Sequence, residues 1–274
     1  MNAQTDATHP PTVLITGASS GIGAALAQAY AARGWRLVLV GRKAEALRAT
    51  AAACARAQGM QGVDPGRIRL ITLDLLQTEA WREQAGALVQ AWGCPQVVIA
   101  NAGISHGVDL ARPEDLAAAR EVMDSNWLAA LATLAPFIAP MRARGNGTLV
   151  GVASVAGVRG LPGHAAYCAS KAALIHALES LRVELRGSGV RVVTISPGYV
   201  ATPLTAGNPF PMPFLMLPDA FARRALRVIE CGRAYATIPW PMAVVSKLLH
   251  VLPRAWYDPI MAGQRRKPRK PHQP

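Results

Sequence analysis

The sequence predicts an α/β fold, a doubly wound parallel sheet with helices on both faces, in a single domain. Two observations carry this. Short aliphatic and β-branched runs alternate with longer Ala- and Leu-rich segments of helical spacing along most of the chain, the order expected of parallel strands joined by crossover helices. The chain has 274 residues, 51% of them hydrophobic and 16% charged, which suffices for a sizeable core and is too apolar for a disordered chain.

The elements follow in order. "TVLITG" (12–17) is a short β-branched run ending in glycine, and so a buried strand. "GIGAALAQAYAARG" follows at helical spacing with a glycine stop. "WRLVLVG" is the second strand and "KAEALRATAAACARAQG" the second helix. "RIRLITLDL", the helix "TEAWREQAGALVQAWG" and the strand "PQVVIANAG" continue the alternation. A long helical stretch from about Glu114 to Arg144 precedes the fifth strand, "GTLVGVAS". Next come a helix carrying Tyr167 and a sixth strand, "VRVVTISPG". The Pro-rich segment beyond Gly198 leads to a helix from Pro218, a short strand "AYATIP" and a last helical segment near Met242 to Leu252. The domain is expected to span 11–263, between a disordered N-terminus (1–10) and a disordered basic tail (264–274) in which prolines oppose helix formation.

The net charge is +13, and five of those charges (Arg265, Arg266, Lys267, Arg269, Lys270) lie in the last ten residues. No interleaved aromatics or recognition module accompany them, so no specific nucleic-acid partner is expected. The body stays basic without them, which suits a polyanionic cofactor. Cys54, Cys94, Cys168 and Cys231 are widely spaced with no CxxC pair, which fits a reducing compartment and no metal site. "MNAQTDATHPPT" has no basic n-region or apolar h-region, and no uninterrupted apolar run reaches the roughly 18 residues of a spanning helix. A cytoplasmic location is expected.

Between the first strand and first helix lies "TGASSGIG", with Gly17, Gly21 and Gly23. Such a turn lets backbone approach a pyrophosphate, and the helix N-terminus adds free N–H groups and partial positive charge. TGxxxGxG, followed by "NAG" (101–103), "YCASK" (167–171) and "SPG" (196–198), resembles the short-chain dehydrogenase/reductase family over about residues 11–205, with Ala100 where many members carry a second Asn. The resemblance implies a Rossmann-type fold and an NAD(P)-dependent oxidoreductase. It assigns to the cofactor Gly17, Ser19, Ser20, Gly21, Ile22, Gly23, Asp74, Leu75, Asn101, Ala102, Gly103, Tyr167, Lys171, Pro197, Gly198, Val200 and Thr202. An NAD-binding fold places a carboxylate at the end of the second strand; here "LVGRK" supplies Arg42 and Lys43 instead. A guanidinium there can grip a 2′-phosphate that an acid would repel. NADP(H) is therefore expected, and NAD less so.

Tyr167 and Lys171 are four apart on a helix, so they share a face about 6 Å apart along the axis. Free tyrosine has a pKa near 10; a neighbouring ammonium and a positive nicotinamide would favour phenolate, and a drop of ~2 units corresponds to about 2.7 kcal/mol. The phenol could then exchange a proton with a carbonyl or alcohol oxygen as hydride moves. Ser154, at the carboxyl end of the fifth strand, would hold the same oxygen. The resemblance makes Asn126 the fourth catalytic residue, relaying protons to Lys171 through water. Cys168 has no motif partner and reads as packing. His164, one turn before Tyr167, and Tyr199 are assigned to the substrate, with His106 a further candidate.

The segment 203–217, "PLTAGNPFPMPFLML", is expected to close over a bulky, apolar carbonyl or alcohol. Its Phe210, Met212, Phe214, Leu215, Met216 and Leu217 form an adaptable wall without charge; packing on the body or on a partner subunit is the alternative. Another is that the lid and residues 240–256 touch a membrane surface, with Lys247, His250 and Arg254 toward headgroups. The resemblance further implies a homodimer or homotetramer paired through the long helix and the Tyr-bearing helix.

Overall fold

The computed structural model describes residues 10–269; residues 1–9 of the expected N-terminal extension and residues 270–274 of the tail lie outside them. β1 (Thr12–Thr16) is fully buried, and its side chains alternate between two apolar layers. Val13 and Ile15 pack on one side with α1 (Gly21–Ala31), α2 (Ala44–Ala57) and α7 (Pro218–Glu230). Leu14 packs on the other with α3 (Thr78–Trp92), α5 (Ala129–Arg144) and α6 (Ala165–Glu184). Because both faces are covered, the strands read as continuous aliphatic runs.

β2 (Arg36–Gly41), β3 (Ile68–Thr72), β4 (Val97–Ala100), β5 (Gly147–Val152), β6 (Val190–Pro197) and β7 (Tyr235–Ile238) complete a seven-stranded sheet ordered β3-β2-β1-β4-β5-β6-β7. Every pairing is parallel. The strand order reverses between β1 and β4, and such a switch point opens a crevice beyond the carboxyl ends of the strands. The doubly wound, Rossmann-type architecture expected from the sequence is the one found.

The long helical stretch is not one regular helix. α4 (Asp115–Met123) passes through a π turn at Asp124–Leu128 before α5 begins. Periodicity does not register such a turn, which keeps the helix direction while shifting the hydrogen bonds by one residue. The whole run Asp115–Arg144 is long and apolar enough to cross a membrane by length and composition, although polar residues interrupt it. Its Ala130, Leu134, Phe137 and Met141 lie in the core, where fully burying a side chain such as Phe137 is worth about 1.5–3 kcal/mol.

Two differences from expectation lie at the C-terminus. After α8 (Trp240–Val251), Pro253 starts a further helix, α9 (Arg254–Ala262), beyond the expected end near Leu252. Residues 264–269, expected to be disordered, lie against the body: Arg269 donates from Nε and Nη2 to the two carboxylate oxygens of Asp115, each at 2.7 Å. The prolines do exclude helix, as argued, but an extended segment needs none when side-chain and backbone partners are supplied by the body.

Candidate active site

A cleft of about 590 Å³ opens at the carboxyl ends of the strands. At one end lies the glycine turn. Gly17 and Gly21 have φ of +64° and +55°, a region costly for residues with a Cβ. A methyl on Gly17 would come within 2.8 Å of Ala102 Cα, so the first turn and the strand-end "NAG" are in backbone contact. Asn101 fastens them: its Nδ2 donates to Thr16 O at 3.0 Å, while its own N–H donates to Thr16 Oγ1 at 3.1 Å. Gly23 does not line the cleft; a methyl there would collide with the Gly17 carbonyl, so its role is to let α1 approach β1.

Ser19, Ser20, Gly21, Ile22, Arg42, Lys43, Asp74 and Leu75 line the cleft beyond the turn. Arg42 is half-exposed, with Nη1 3.8 Å from Asp74 Oδ2, a loose pairing that leaves most of its donors free. Asn101, Ala102 and Gly103 line the middle, with Pro197, Gly198, Val200 and Thr202 on the β6 side. Backbone that tolerates close approach, a helix N-terminus and two cations at the far wall together fit a dinucleotide bearing an extra phosphate.

Ser154, Tyr167 and Lys171 come together at the other end. Ser154 leaves β5 in extended conformation, and its Oγ accepts from Ala156 N at 3.1 Å, capping a short 3₁₀ turn. It also lies beside the Tyr167 phenol and acts to lower its pKa. Burial nevertheless pushes the Tyr167 phenol up to about 12, against the lowering by Ser154. The expected lowering depends on a positive nicotinamide beside the phenol as well as on the ammonium. The Lys171 ammonium lies 5.9 Å from the phenol ring centroid and is turned to the Val152 carbonyl, to which Nζ donates at 3.0 Å. Burial in turn lowers Lys171 to about 8. In both groups burial is the largest cause, raising the phenol against the lowering by Ser154 and lowering the ammonium.

Asn126 is fully buried in the π turn and does not line the cleft. Its Oδ1 accepts from Ile104 N at 2.8 Å, and its Nδ2 donates to Ile104 O and Ser170 Oγ, each at 3.0 Å. A methyl on Gly103 would lie 2.8 Å from Asn126 Oδ1 and 3.4 Å from Lys171 Nζ, so amide and ammonium meet at this glycine. The π turn thus clamps the loop after β4 against the Tyr-bearing helix.

The aromatic assignments separate. His164 is buried and absent from the cleft lining. Its ring lies edge-on to Tyr167 at 6.5 Å and to Phe210 at 5.7 Å, and Tyr199 meets Phe210 at 6.3 Å. His164 therefore backs the phenol, and Tyr199 packs one ring further out, on Phe210. His106 lies near Glu121, with Nε2 4.0 Å from Oε2. Cys168 is buried and its thiol is pushed up to about 11 by desolvation, unlike a nucleophile. The 203–217 segment also divides. Met216 packs in the core and its backbone ties to Tyr199 and Ala201, whereas Phe214, Leu215 and Leu217 are exposed and Phe210 reaches the aromatic group.

Sequence reasoning missed Val152, Ala153, Ile104 and Thr205, which also line the cleft. Only Thr205 left a signal, its spacing from Thr202: Oγ1 accepts from Thr202 N at 3.1 Å and donates to Val200 O at 2.6 Å, a local hydroxyl turn. Among the described residues there is no group of three or more His, Cys, Asp or Glu side chains that could hold a metal.

Comparison with known proteins agrees with this geometry. The family model for the short chain dehydrogenase matches residues 11–209. An uncharacterized oxidoreductase of Myxococcus xanthus is 43% identical over 247 residues, covering 90% of this chain and 94% of its own. A short-chain dehydrogenase from Sphingobium yanoikuyae, solved with NADPH, superposes with a TM-score of 0.74 at 26% identity, covering 93% of this chain and 96% of its own. An alcohol dehydrogenase from Thermococcus sibiricus, complexed with 5-hydroxy-NADP, gives 0.72 at 25% identity, covering 84% of this chain and 96% of its own.

Proposed function

The chain belongs to the short-chain dehydrogenase/reductase family and is an NAD(P)-dependent oxidoreductase, and from that premise we propose that it uses NADPH to reduce a bulky, apolar carbonyl, with Tyr167 as the proton donor. The observation that carries this reading is the pairing of a protonated phenol beside Ser154 at one end of the cleft with Arg42 and Lys43 at the other, where Asp74 pairs only loosely with Arg42. Gly17, Ser19, Gly21 and the strand-end "NAG" would cradle the dinucleotide, and Arg42 with Lys43 would take its 2′-phosphate. That the two solved relatives carry NADP-type ligands supports the choice. The bound cofactor supplies hydride to the carbonyl carbon.

The rest is the work of the chain's own residues. With its pKa held near 12, Tyr167 is protonated throughout the neutral range and gives its proton to the carbonyl oxygen. Ser154 orients that oxygen by a second hydrogen bond. Lys171, still mostly charged at pH 7 with a pKa of about 8, stabilises the phenolate left behind and would also hold the nicotinamide ribose. Asn126 keeps the loop wall in place, and its relay role would run through water at Gly103. Phe210 and the apolar lid select for hydrophobic substrates.

A panel of ketones assayed by nicotinamide absorbance with NADPH and NADH tests the reading. Turnover confined to NADH, or none with any apolar ketone, would overturn it.

A specific observation also favours peripheral membrane contact. Trp240, Val244, Leu248 and Val251 form an exposed apolar stripe along α8, extended by Trp256 and Ile260 on α9. Lys247 and Arg254 flank it, as on helices that lie in a bilayer interface. The four cysteines are free, in keeping with a cytoplasmic enzyme docked on a membrane. Homo-oligomer pairing through the long helical run and α6 is supported by exposed Leu128 in the π turn and Val183 on α6. Vesicle co-sedimentation and sedimentation equilibrium check the two.

A further inference from the structure

The C-terminal segment runs along the loop after β4, the loop before α6 and the lid, on a path built to receive it. Two glycines form its floor. A methyl on Gly107 would come within 2.8 Å of the Pro268 carbonyl oxygen and closer still to that of Lys267; one on Gly163 would lie 3.0 Å from Arg266 Cβ. The two floor loops are themselves joined, Val108 N donating to Gly163 O at 3.1 Å. Gly107 N also donates to Pro268 O at 3.1 Å.

The segment is tied at both flanks. Toward α4, Arg269 grips Asp115, a side chain 2% exposed whose Oδ2 also accepts from Asp109 N at 2.8 Å. A bidentate pair to a buried carboxylate is among the stronger side-chain contacts. Toward the lid, Lys267 Nζ donates to Leu204 O at 3.1 Å, and Arg265 Nη1 reaches Pro209 O at 3.4 Å. Leu204 lines the cleft, and Phe210, next after Pro209, touches His164 behind Tyr167. The chain end thus joins the loop after β4, the loop before α6 and the lid.

We propose that residues 264–269 form a strap that holds the lid closed over the substrate end, making Arg269 and Lys267 positioning residues for substrate binding. The effect on substrate rests on the carbonyl-reductase reading; the effect on the lid does not. Substrate binds to the strapped conformation, and apparent affinity falls in proportion to the fraction of molecules that keep it. Releasing the strap to about one tenth occupancy would raise KM for the carbonyl roughly tenfold. The hydride step and the cofactor site, at the other end of the cleft, stay as they are.

The test uses the full chain with Arg269→Ala, Arg269→Lys and Gly107→Ala. The last displaces the strap by bulk without touching a charge, so it remains informative if loss of the ion pair harms folding. Expected for Arg269→Ala and Gly107→Ala are a KM for an apolar ketone raised about tenfold, little change in kcat, and unchanged NADPH affinity; Arg269→Lys should recover part of the KM. Hydrogen exchange over 203–217 and 104–109 should quicken in both disruptive variants. Unchanged exchange there, or an unchanged KM beside quickened exchange, overturns the strap. If the unaltered protein reduces no ketone, the function reading fails while the exchange result still decides whether the strap holds the lid.

Discussion

Lys171→Met should make the cofactor-free protein more stable while abolishing its activity. Lys171 is 4% exposed, and burial lowers it from 10.5 to about 8. At neutral pH the folded state therefore carries a charge it disfavours by about 3 kcal/mol relative to the unfolded chain, at 1.36 kcal/mol per pKa unit. Methionine keeps an unbranched apolar stem of similar length. It forfeits the hydrogen bond to Val152 O, worth about 1 kcal/mol, and leaves that carbonyl unpaired at a similar cost. A net gain of about 1 kcal/mol remains, which for a chain of this size is a rise in Tm of about 2–4 °C. The sign in pH follows from linkage. Between about pH 8 and 10.5 the unfolded lysine still binds a proton that the folded one has released, so the unaltered protein gains stability as pH rises through that window. The variant has no such group, and its advantage should shrink above pH 8. Denaturant melts of both proteins at about pH 7 and about pH 9.5 measure this. A variant that is less stable at neutral pH, or whose advantage does not shrink at higher pH, would refute the reasoning.

Three further outcomes are expected. Arg42→Asp should erode or invert the preference for NADPH over NADH, because a carboxylate repels the 2′-phosphate and accepts from ribose hydroxyls; equal preference before and after the change, read from kcat/KM with each cofactor, would remove Arg42 from that role. Catalytic efficiency should rise as apolar surface is added to a ketone series, by up to about fifteenfold for each two buried methylenes at ~0.8 kcal/mol apiece; a flat or falling series leaves the lid as packing. Replacing Trp240 and Trp256 together by Ser should reduce binding to anionic vesicles without affecting ketone reduction, as followed by co-sedimentation and by nicotinamide absorbance.

The sheet was legible because its signal is local. Each strand is buried on both faces and reads as a continuous aliphatic run, as in "TVLIT" and "RLVLVG". Tyr167 and Lys171 were legible because one helix carries both. What stayed hidden depends on residues far apart in sequence. Arg269 meets Asp115 across 154 positions, so a tail judged by its own prolines and charges looked unattached. The raised phenol of the chain by itself is hidden for a related reason: the ammonium is visible at i+4, but the burial that raises Tyr167 comes from the packed fold. The π turn around Asn126 leaves side-chain spacing nearly helical and escapes a periodicity argument. The placing of His164 behind the phenol rather than in the cleft depends on Phe210, brought in by the return of the lid to Met216.

The central claim is that Tyr167 delivers the proton in an NADPH-linked reduction, and single-turnover reduction of an apolar ketone by Tyr167→Phe tests it most directly. The ring still packs against His164, and only the hydroxyl is lost. The account predicts NADPH bound with nearly the original affinity and a reduction rate lower by about 10²–10⁴-fold, the usual worth of a positioned general acid. Reduction at an undiminished rate with NADPH bound would contradict it.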